Sequence, residues 1–169
     1  MASEGAFKQC RRVRRSGGIS RRAWLSLVSA VFGSARFAIA RASERPDLIC
    51  KDSHGVAAGG YDVVAYFTDH KAVQGSTQFS AKYNGAEYRF TSAAHRDLFT
   101  AKPLVYLPQY GGHCAYAMGH NKMLNGDPQA WLIYKGKLYL TVSRQVLELF
   151  QSDVVTAINQ ADAIWKQLQ

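Results

Sequence analysis

Residues 79–92 read FSAKYNGAEYRFTS, and this stretch decides the fold. Apolar and polar residues alternate on both sides of Asn84-Gly85, which is the period-two pattern of a half-buried strand. Asn-Gly accepts positive φ at both central positions of a tight type I′ turn, so the stretch predicts a β-hairpin. Ser92 then predicts a helix cap, and the predicted helix runs from Ala93 to Ala101 because Pro103 cannot continue it.

A second hairpin is predicted outward from the first, from Trp131 to Thr141, with Lys135-Gly136 at its turn. Ser143 and Asp153 can cap the helices that follow. The last helix has an apolar face at three-to-four spacing, formed by Val154, Ile158, Ala161, Trp165 and Leu168. No internal repeat is evident in the mature chain. The predicted fold class is α+β: a small antiparallel sheet built from two β-hairpins, with short helices and a C-terminal amphipathic helix.

Three other segments carry weaker patterns. Val63–Phe67 is a short apolar run that fits either a strand or a helical turn. The Gly- and Pro-punctuated residues 103–128 indicate a long loop, and loops of that length are often functional. Residues 43–58 contain Pro46 and little apolar pattern, so a flexible tail is expected there.

The positive charge of the chain is concentrated at its N-terminus. The 169 residues carry a net charge of +9, but residues 1–42 hold nine Lys and Arg against Glu4 alone. The remaining residues are close to neutral, at +1. A neutral domain lacks the basic surface that phosphate binding requires, so no nucleic-acid partner is expected.

Residues 1–42 have the successive regions of a cleavable export signal. A basic stretch ends at Arg22, thirteen uncharged residues follow, and Ala40-Arg41-Ala42 supplies the small residues of a cleavage site. Thirteen residues are fewer than the roughly 20 that span a bilayer, so no membrane span is expected after cleavage. Ser20–Leu25 resembles the twin-arginine export motif, with a Sec signal or a retained amphipathic anchor as alternatives. The mature protein is expected to be periplasmic or otherwise exported.

Six sequence blocks then carry a family resemblance. Residues 60–67, 83–92 and 96–99 read GYDVVAYF, YNGAEYRFTS and RDLF, and they resemble a YHS domain. Three further blocks are similar to the stand-alone exported branch of that family, at residues 106–115, 126–131 and 136–140. The resemblance implies a YHS-like domain over residues 59–169. It also implies a metal-linked role, because related short domains accompany heavy-metal transporters and resemble small zinc-binding folds.

The same resemblance shows where this chain departs from its relatives. Thr91 and His95 stand where zinc-binding relatives have cysteines, and a structural zinc needs four ligands, so zinc binding is not carried over. The exported branch has a cysteine in its Tyr-Gly-Gly-x-Cys-Ala block, here Cys114, preceded by His113 where Tyr is usual. If selenium of selenoprotein relatives occupies this position, the resemblance implies redox chemistry.

Candidate metal ligands are densest in the predicted long loop. They are His113, Cys114, Met118, His120 and Met123. Thiolate, imidazole and thioether together suit Cu(I) or another soft metal ion, although the spacing is not that of a blue-copper loop. Alternatively, the methionines fill gaps in the core and Cys114 is a buried, inert cysteine. Cys50 also stays after cleavage, and the sequence does not decide whether it pairs with Cys114.

The sequence favours an exported YHS-domain protein with a metal-handling or redox role centred on Cys114, the candidate catalytic residue. One alternative is a non-catalytic binding module for a metal ion, small molecule or protein, with a pocket or partner surface formed by the Tyr- and Gly-rich segment from Tyr106 to Tyr116. Another is a thiol-dependent oxidoreductase, in which a neighbouring imidazolium lowers the pKa of the thiol. His95 is expected to be a solvated helix residue, because its charged neighbours Arg96 and Asp97 do not share its helix face.

Overall fold

The first hairpin forms as its sequence predicts. In the computed structural model, which describes residues 48–169, strand β1 (Ser76–Tyr83) pairs antiparallel with β2 (Ala86–Phe90). Asn84 and Gly85 at the turn have φ of 47° and 73°, which are the positive values that a type I′ turn requires. The predicted export signal at residues 1–42 lies outside the described residues.

The second hairpin is also confirmed. Strand β3 (Asp127–Tyr134) pairs antiparallel with β4 (Lys137–Thr141) across a turn at Lys135 and Gly136. The two hairpins form separate two-stranded sheets rather than one continuous sheet. With the helices that follow each hairpin, they confirm the α+β class.

A helix pair follows each hairpin. Helices α2 (Ala93–Ala101) and α3 (Pro103–Tyr106) follow the first, and α5 (Arg144–Ser152) and α6 (Val154–Leu168) follow the second. The predicted caps are confirmed, because each cap side chain accepts a backbone N–H three residues later. The three caps are Ser92, Ser143 and Asp153. The apolar face of α6 packs into the core as its spacing predicts, with Ala161 fully buried.

The remaining segments are more ordered than the sequence indicates. Val63–Phe67 leads into a helical turn, α1 (Ala65–Thr68), which settles the choice between strand and helix. The predicted loop over residues 103–128 instead contains α3, a tight turn at Gln109–Gly112 and helix α4 (Ala115–Gly119). These helices are only four or five residues long, so they depend on packing rather than on helix propensity.

The expected flexible tail, where the structure describes it, contributes residues to the core on both sides of an exposed turn at residues 52–54. Leu48, Ile49, Val56 and Ala57 are at most 9% exposed. The Cys50 backbone N–H donates to the Gly111 carbonyl at 2.8 Å, which attaches this segment to the turn before α4. Residues 48–58 are therefore part of the folded domain.

Within the described residues, positions 56–168 fold as two copies of one backbone unit, although no repeat was evident in the sequence. Tyr83 pairs with Ala86 in the first hairpin, and Tyr134 pairs with Lys137 in the second, an offset of 51 residues (134 against 83). All five paired positions of the first hairpin, including the irregular step after Ser76, recur in the second at this offset. We name the two copies the N-terminal repeat (residues 56–106) and the C-terminal repeat (residues 108–168).

The turns before the hairpins match as well, at an offset of 52 residues (114 against 62). The Asp62 backbone N–H donates to Val73 at 2.9 Å, and the Cys114 backbone N–H donates to Leu124 at 2.8 Å. A second matched pair of bonds joins Gly75 to Gly60 and Gly126 to Gly112. Asp62 and Cys114 therefore occupy equivalent positions, just before the first helix of each repeat.

Each repeat has its own apolar core. Tyr88, Phe90 and Phe99 form the centre of the N-terminal cluster, and Tyr139 and Phe150 lie in the C-terminal cluster. A third cluster joins the repeats, because Tyr66 from the first packs with Leu138 and Leu140 from the second. Among residues 48–169, no helix is both long and apolar enough to cross a membrane.

Candidate functional site

Cys114, the predicted functional centre, is a buried helix cap. It lies at the N-terminus of α4 with none of its surface exposed, and its Sγ accepts the Ala117 N–H at 3.4 Å. Burial raises the pKa of the thiol, and the nearby N–H groups of Ala117, Val142 and Tyr116 only partly oppose this effect. Cys114 is a free thiol, so it does not pair with Cys50.

His113 is buried beside it without forming a Cys–His pair. Its residue is 1% exposed, and neither ring nitrogen makes a hydrogen bond of normal geometry within the described part of the chain, to Cys114 Sγ or to any other group. Burial lowers the pKa of the imidazole, while the backbone carbonyl groups of Leu124 and Leu48 act in the opposite direction. A neutral imidazole of this kind does not supply the positive charge that would stabilise a neighbouring thiolate.

The other three predicted metal ligands point to different places. Met118 is fully buried among core residues that include Tyr139 and Phe150. His120 is exposed and packs edge-on against Tyr116 at 4.7 Å between ring centroids, and Met123 is 43% exposed. Across residues 48–169, no group of three or more His, Cys, Asp or Glu side chains is arranged to hold a metal ion. Metal binding by these five residues stays a prediction.

The densest polar site lies instead at the equivalent position of the N-terminal repeat. Asp62 is fully buried, and its Oδ1 accepts the Val64 N–H at 2.9 Å and the Ala65 N–H at 3.3 Å. Its Oδ2 accepts the Thr91 N–H and hydroxyl, both at 2.8 Å, and bonds His95 Nδ1 at 2.7 Å. Five donors from three chain segments therefore converge on one carboxylate.

His95 is part of this site, so the expectation of a solvated helix residue was wrong. Its side chain is only 15% exposed, and its Nδ1 lies 2.7 Å from the buried Asp62 carboxylate. A carboxylate only accepts hydrogen bonds, so Nδ1 carries a proton. In the neutral ring, Nε2 is then an acceptor, and it lies 3.4 Å from the hydroxyl oxygen of Thr68, an exposed residue.

One sequence signal pointed to this site without identifying it. Thr91 and His95 stand where zinc-binding YHS domains have cysteines, and if the predicted resemblance holds, residues that share a site in those domains are expected to meet in space. Asp62 gave no such signal, since it is 33 residues from His95 in the chain. The helix neighbours Arg96 and Asp97 bond to each other rather than to His95.

The structure also contains a shallow groove between the second hairpin and α6. It has a volume of about 150 Å³ and combines tyrosine rings, lysine ammonium groups, an amide and aliphatic side chains. Its lining residues are Tyr134, Lys135, Lys137, Tyr139, Val155, Ile158 and Asn159. In the Tyr106–Tyr116 segment, predicted as a pocket or partner surface, Tyr110 lies in the core, where its hydroxyl donates to Asp162 at 2.8 Å. A role of this segment in binding stays a prediction.

Comparisons of the chain with models of protein families, with curated proteins and with solved structures found no match. The resemblance to the YHS family therefore stays a prediction.

Proposed function

We propose that the mature chain is an exported YHS-type binding module, and that it is not a protein whose chemistry is centred on Cys114. The supporting observation is the environment of that residue: a fully buried Sγ that accepts the Ala117 N–H at the start of α4. A reactive or metal-binding cysteine acts as a thiolate and must be reached by its partner. Burial and a raised pKa both work against that role.

Comparison of the repeats supports a structural role for the same residue. Asp62 is the equivalent of Cys114, and it too accepts N–H groups at the start of a short helix. The Thr91 N–H bonds Asp62 from the following strand end, and the equivalent Val142 N–H lies near Cys114 Sγ. Both repeats therefore use this position to attach a helix start to the end of a hairpin.

The groove beside α6 is the binding surface that we assign to the module. Lys135 and Lys137 bring positive charge to its rim, and Tyr134 and Tyr139 bring aromatic surface. Because the groove is open to solvent, a ring bound there would lie against its tyrosine and aliphatic side chains rather than be enclosed. This combination favours a small aromatic carboxylate, or a side chain of that chemistry on a larger ligand.

Titration with benzoate, followed by two-dimensional ¹H–¹⁵N NMR, tests the groove. We expect saturable shifts centred on residues 134–139 and 155–159, with weaker binding in Lys135→Ala and Lys137→Ala. Lys82→Ala, an exposed lysine on the first hairpin, is the matched control and should bind normally. Equal shifts with uncharged benzyl alcohol, or unchanged binding in both groove variants, would contradict the assignment.

Alkylation of the native protein tests the role of Cys114. Iodoacetamide should modify this thiol much more slowly in the native protein than in denaturant, and Cu(I) retention should not change in Cys114→Ser. Rapid native alkylation, or Cu(I) binding lost in that variant, would restore the metal or redox hypothesis.

Export is part of the proposal and rests on the order of regions in residues 1–42. Mass spectrometry of the exported protein should find Ser43 or a near neighbour at the N-terminus. Replacing Arg21 and Arg22 with Lys should stop export by the twin-arginine route, whereas unchanged export would indicate Sec. An intact Met1 terminus on exported protein would contradict cleavage.

A further inference from the structure

Asp62, His95 and Thr68 form a chain of side-chain contacts that the binding proposal does not use. The carboxylate lies 2.7 Å from His95 Nδ1, and Nε2 of the same ring lies 3.4 Å from Thr68 Oγ1. Asp62 is fully buried, the His95 side chain is 15% exposed, and Thr68 is an exposed residue. A buried acid, an oriented imidazole and a reachable hydroxyl are the parts of a nucleophilic triad, which is recognised by geometry rather than by sequence order.

The hydroxyl of Thr68 has two acceptors within reach. It donates to the Val64 carbonyl at 3.2 Å, and His95 Nε2 lies at 3.4 Å. Rotation about the Cβ–Oγ1 bond moves the proton from one acceptor toward the other without moving either oxygen or nitrogen. A contact of this length is also common in triads without substrate, which tighten when substrate is bound.

The orientation of the imidazole is fixed independently of Thr68. Asp62 Oδ2 holds Nδ1, and the Thr91 hydroxyl bonds the same oxygen and lies 3.2 Å from Nδ1. These contacts place the ring proton on Nδ1 and leave the Nε2 lone pair for an outer partner. Asp62 and Thr91 are therefore positioning residues, and His95 is the group that can accept a proton.

We propose that Thr68 is a nucleophile toward activated acyl or phosphonyl groups, with His95 as its general base. With an ester, Thr68 Oγ1 would form a bond to the carbonyl carbon while its proton passes to His95 Nε2. The bond to the leaving alkoxide then breaks, and the alkoxide takes that proton. Water, deprotonated by His95, attacks the acyl-threonine, and Thr68 recovers its proton as the acid product leaves.

Thr100 is the internal contrast that the fold provides. It is also exposed and also donates to a carbonyl one helical turn earlier, that of Arg96, at 2.8 Å. No histidine contact accompanies that bond among those the structure describes. The two threonines therefore share exposure and local bonding, and they differ in the Asp62–His95 pair.

Labelling with an alkyl fluorophosphonate tests the proposal. In this reaction the Thr68 oxygen forms a bond to phosphorus, the P–F bond breaks, and fluoride and the transferred proton leave to solvent. Peptide mapping should find the label on the residue at position 68 in the native protein, in Thr68→Ser and in Thr100→Val. Thr68→Val should not be labelled, and the labelling rate should fall about 100-fold or more in His95→Asn.

His95→Asn is chosen because its side-chain amide can still donate to Asp62, and its melting temperature should confirm a folded protein. Asp62→Asn tests the positioning role, because an amide at this position favours a proton on Nε2 and removes the base. Ring ¹⁵N shifts should report that tautomer change together with slower labelling, an effect that loss of packing alone would not produce.

An unlabelled native protein, equal labelling of Thr100, or labelling that does not depend on His95 would overturn the proposal. None of these outcomes bears on the groove, which is tested separately by ligand titration.

Discussion

The two repeats share one backbone plan but differ in what they hold at its centre. The N-terminal repeat has Asp62, Thr91 and His95, which form a hydrogen-bonded polar cluster. The equivalent residues of the C-terminal repeat are Cys114, Val142 and Val146, which offer a single thiol and two aliphatic side chains. Both repeats therefore have a hydrogen-bond acceptor at the first of these positions. Only the N-terminal repeat connects that acceptor to a histidine.

Because both are buried, Asp62 and Cys114 differ in how strongly the stability of the fold depends on their hydrogen bonds. A buried carboxylate is tolerated only when its oxygens are bonded, so Asp62 depends on all five of its donors. A buried thiol costs little to desolvate and behaves as a small apolar group with one weak bond. The repeats should therefore respond unequally to the same substitution.

The largest expected effect is the difference between Asp62→Ala and Cys114→Ala. Removal of Asp62 leaves two side chains and several backbone N–H groups without their acceptor, so we expect a loss of about 3–5 kcal/mol in the free energy of unfolding. Removal of the Cys114 cap should cost about 1 kcal/mol. Guanidinium unfolding of both variants measures the difference in their free energies of unfolding. Equal losses would contradict the unequal roles of Asp62 and Cys114.

Gly75 and Gly126 occupy equivalent positions in the two repeats, and each donates its backbone N–H to a glycine carbonyl before its hairpin. A Cβ on Gly75 would lie 2.4 Å from the Arg89 carbonyl carbon, and a Cβ on Gly126 would lie 2.5 Å from Leu140 Cβ. Alanine at either position should cost about 2–3 kcal/mol in stability through overpacking. Gly119→Ala, whose new Cβ would meet nothing closer than 3.3 Å, is the control and should cost well under 1 kcal/mol. Thermal melts of the three variants check this order.

The parts of the fold that were predicted from sequence depend on neighbouring residues. The Asn84-Gly85 turn and the caps Ser92 and Ser143 each act within a few residues, so local patterns were sufficient to place both hairpins and their helices. The short helices α3 and α4 were missed because packing, not sequence period, forms a helix of four or five residues.

The repeat and the polar cluster were missed for a different reason. The offset between repeats changes from 52 to 51 residues, since Asp62–Val73 matches Cys114–Leu124 across a segment that is one residue shorter. The contact between Asp62 and His95 joins residues from separate elements, and no local period records such a pair. The five candidate metal ligands around Cys114 are close in sequence, but the structure places their side chains in different surroundings, and metal binding by them stays a prediction.

His113 gives the stability of the C-terminal repeat a pH dependence. Burial lowers the pKa of His113 in the folded state, whereas the unfolded chain titrates near the ordinary value of about 6.5. The folded state then binds fewer protons below that pH, so this contribution to stability is complete above about 6.5 and is lost as the pH falls toward the folded pKa. The slope from one such group is at most about 1.4 kcal/mol per pH unit.

Urea unfolding between pH 7.5 and 5 should therefore show a steeper loss of stability in the native protein than in His113→Leu. His120→Leu is the matched control, because it removes an exposed histidine from the same repeat. Identical slopes for the native protein and the His113 variant would mean that the buried ring is not held neutral.

The smallest expected effect concerns the two hairpin turns. Asn84 and Lys135 have nearly the same φ, 47° and 48°, but asparagine occupies this left-handed region at lower cost than lysine. Lys135→Asn should therefore stabilise the protein, although it also removes the Lys135 ammonium from its place 5.4 Å from the Tyr134 ring centroid. An exposed cation–π contact is worth roughly 0.5 kcal/mol, which offsets part of the gain, so we expect a net stabilisation of about 0.5 kcal/mol.

Lys135→Ala separates the two contributions, because it loses the same ammonium without the turn preference of asparagine. Urea midpoints should place Lys135→Asn above the native protein and Lys135→Ala below it. If the two variants unfold alike, the matched φ values of the turns have no energetic consequence, and the equivalence of the repeats is one of shape alone.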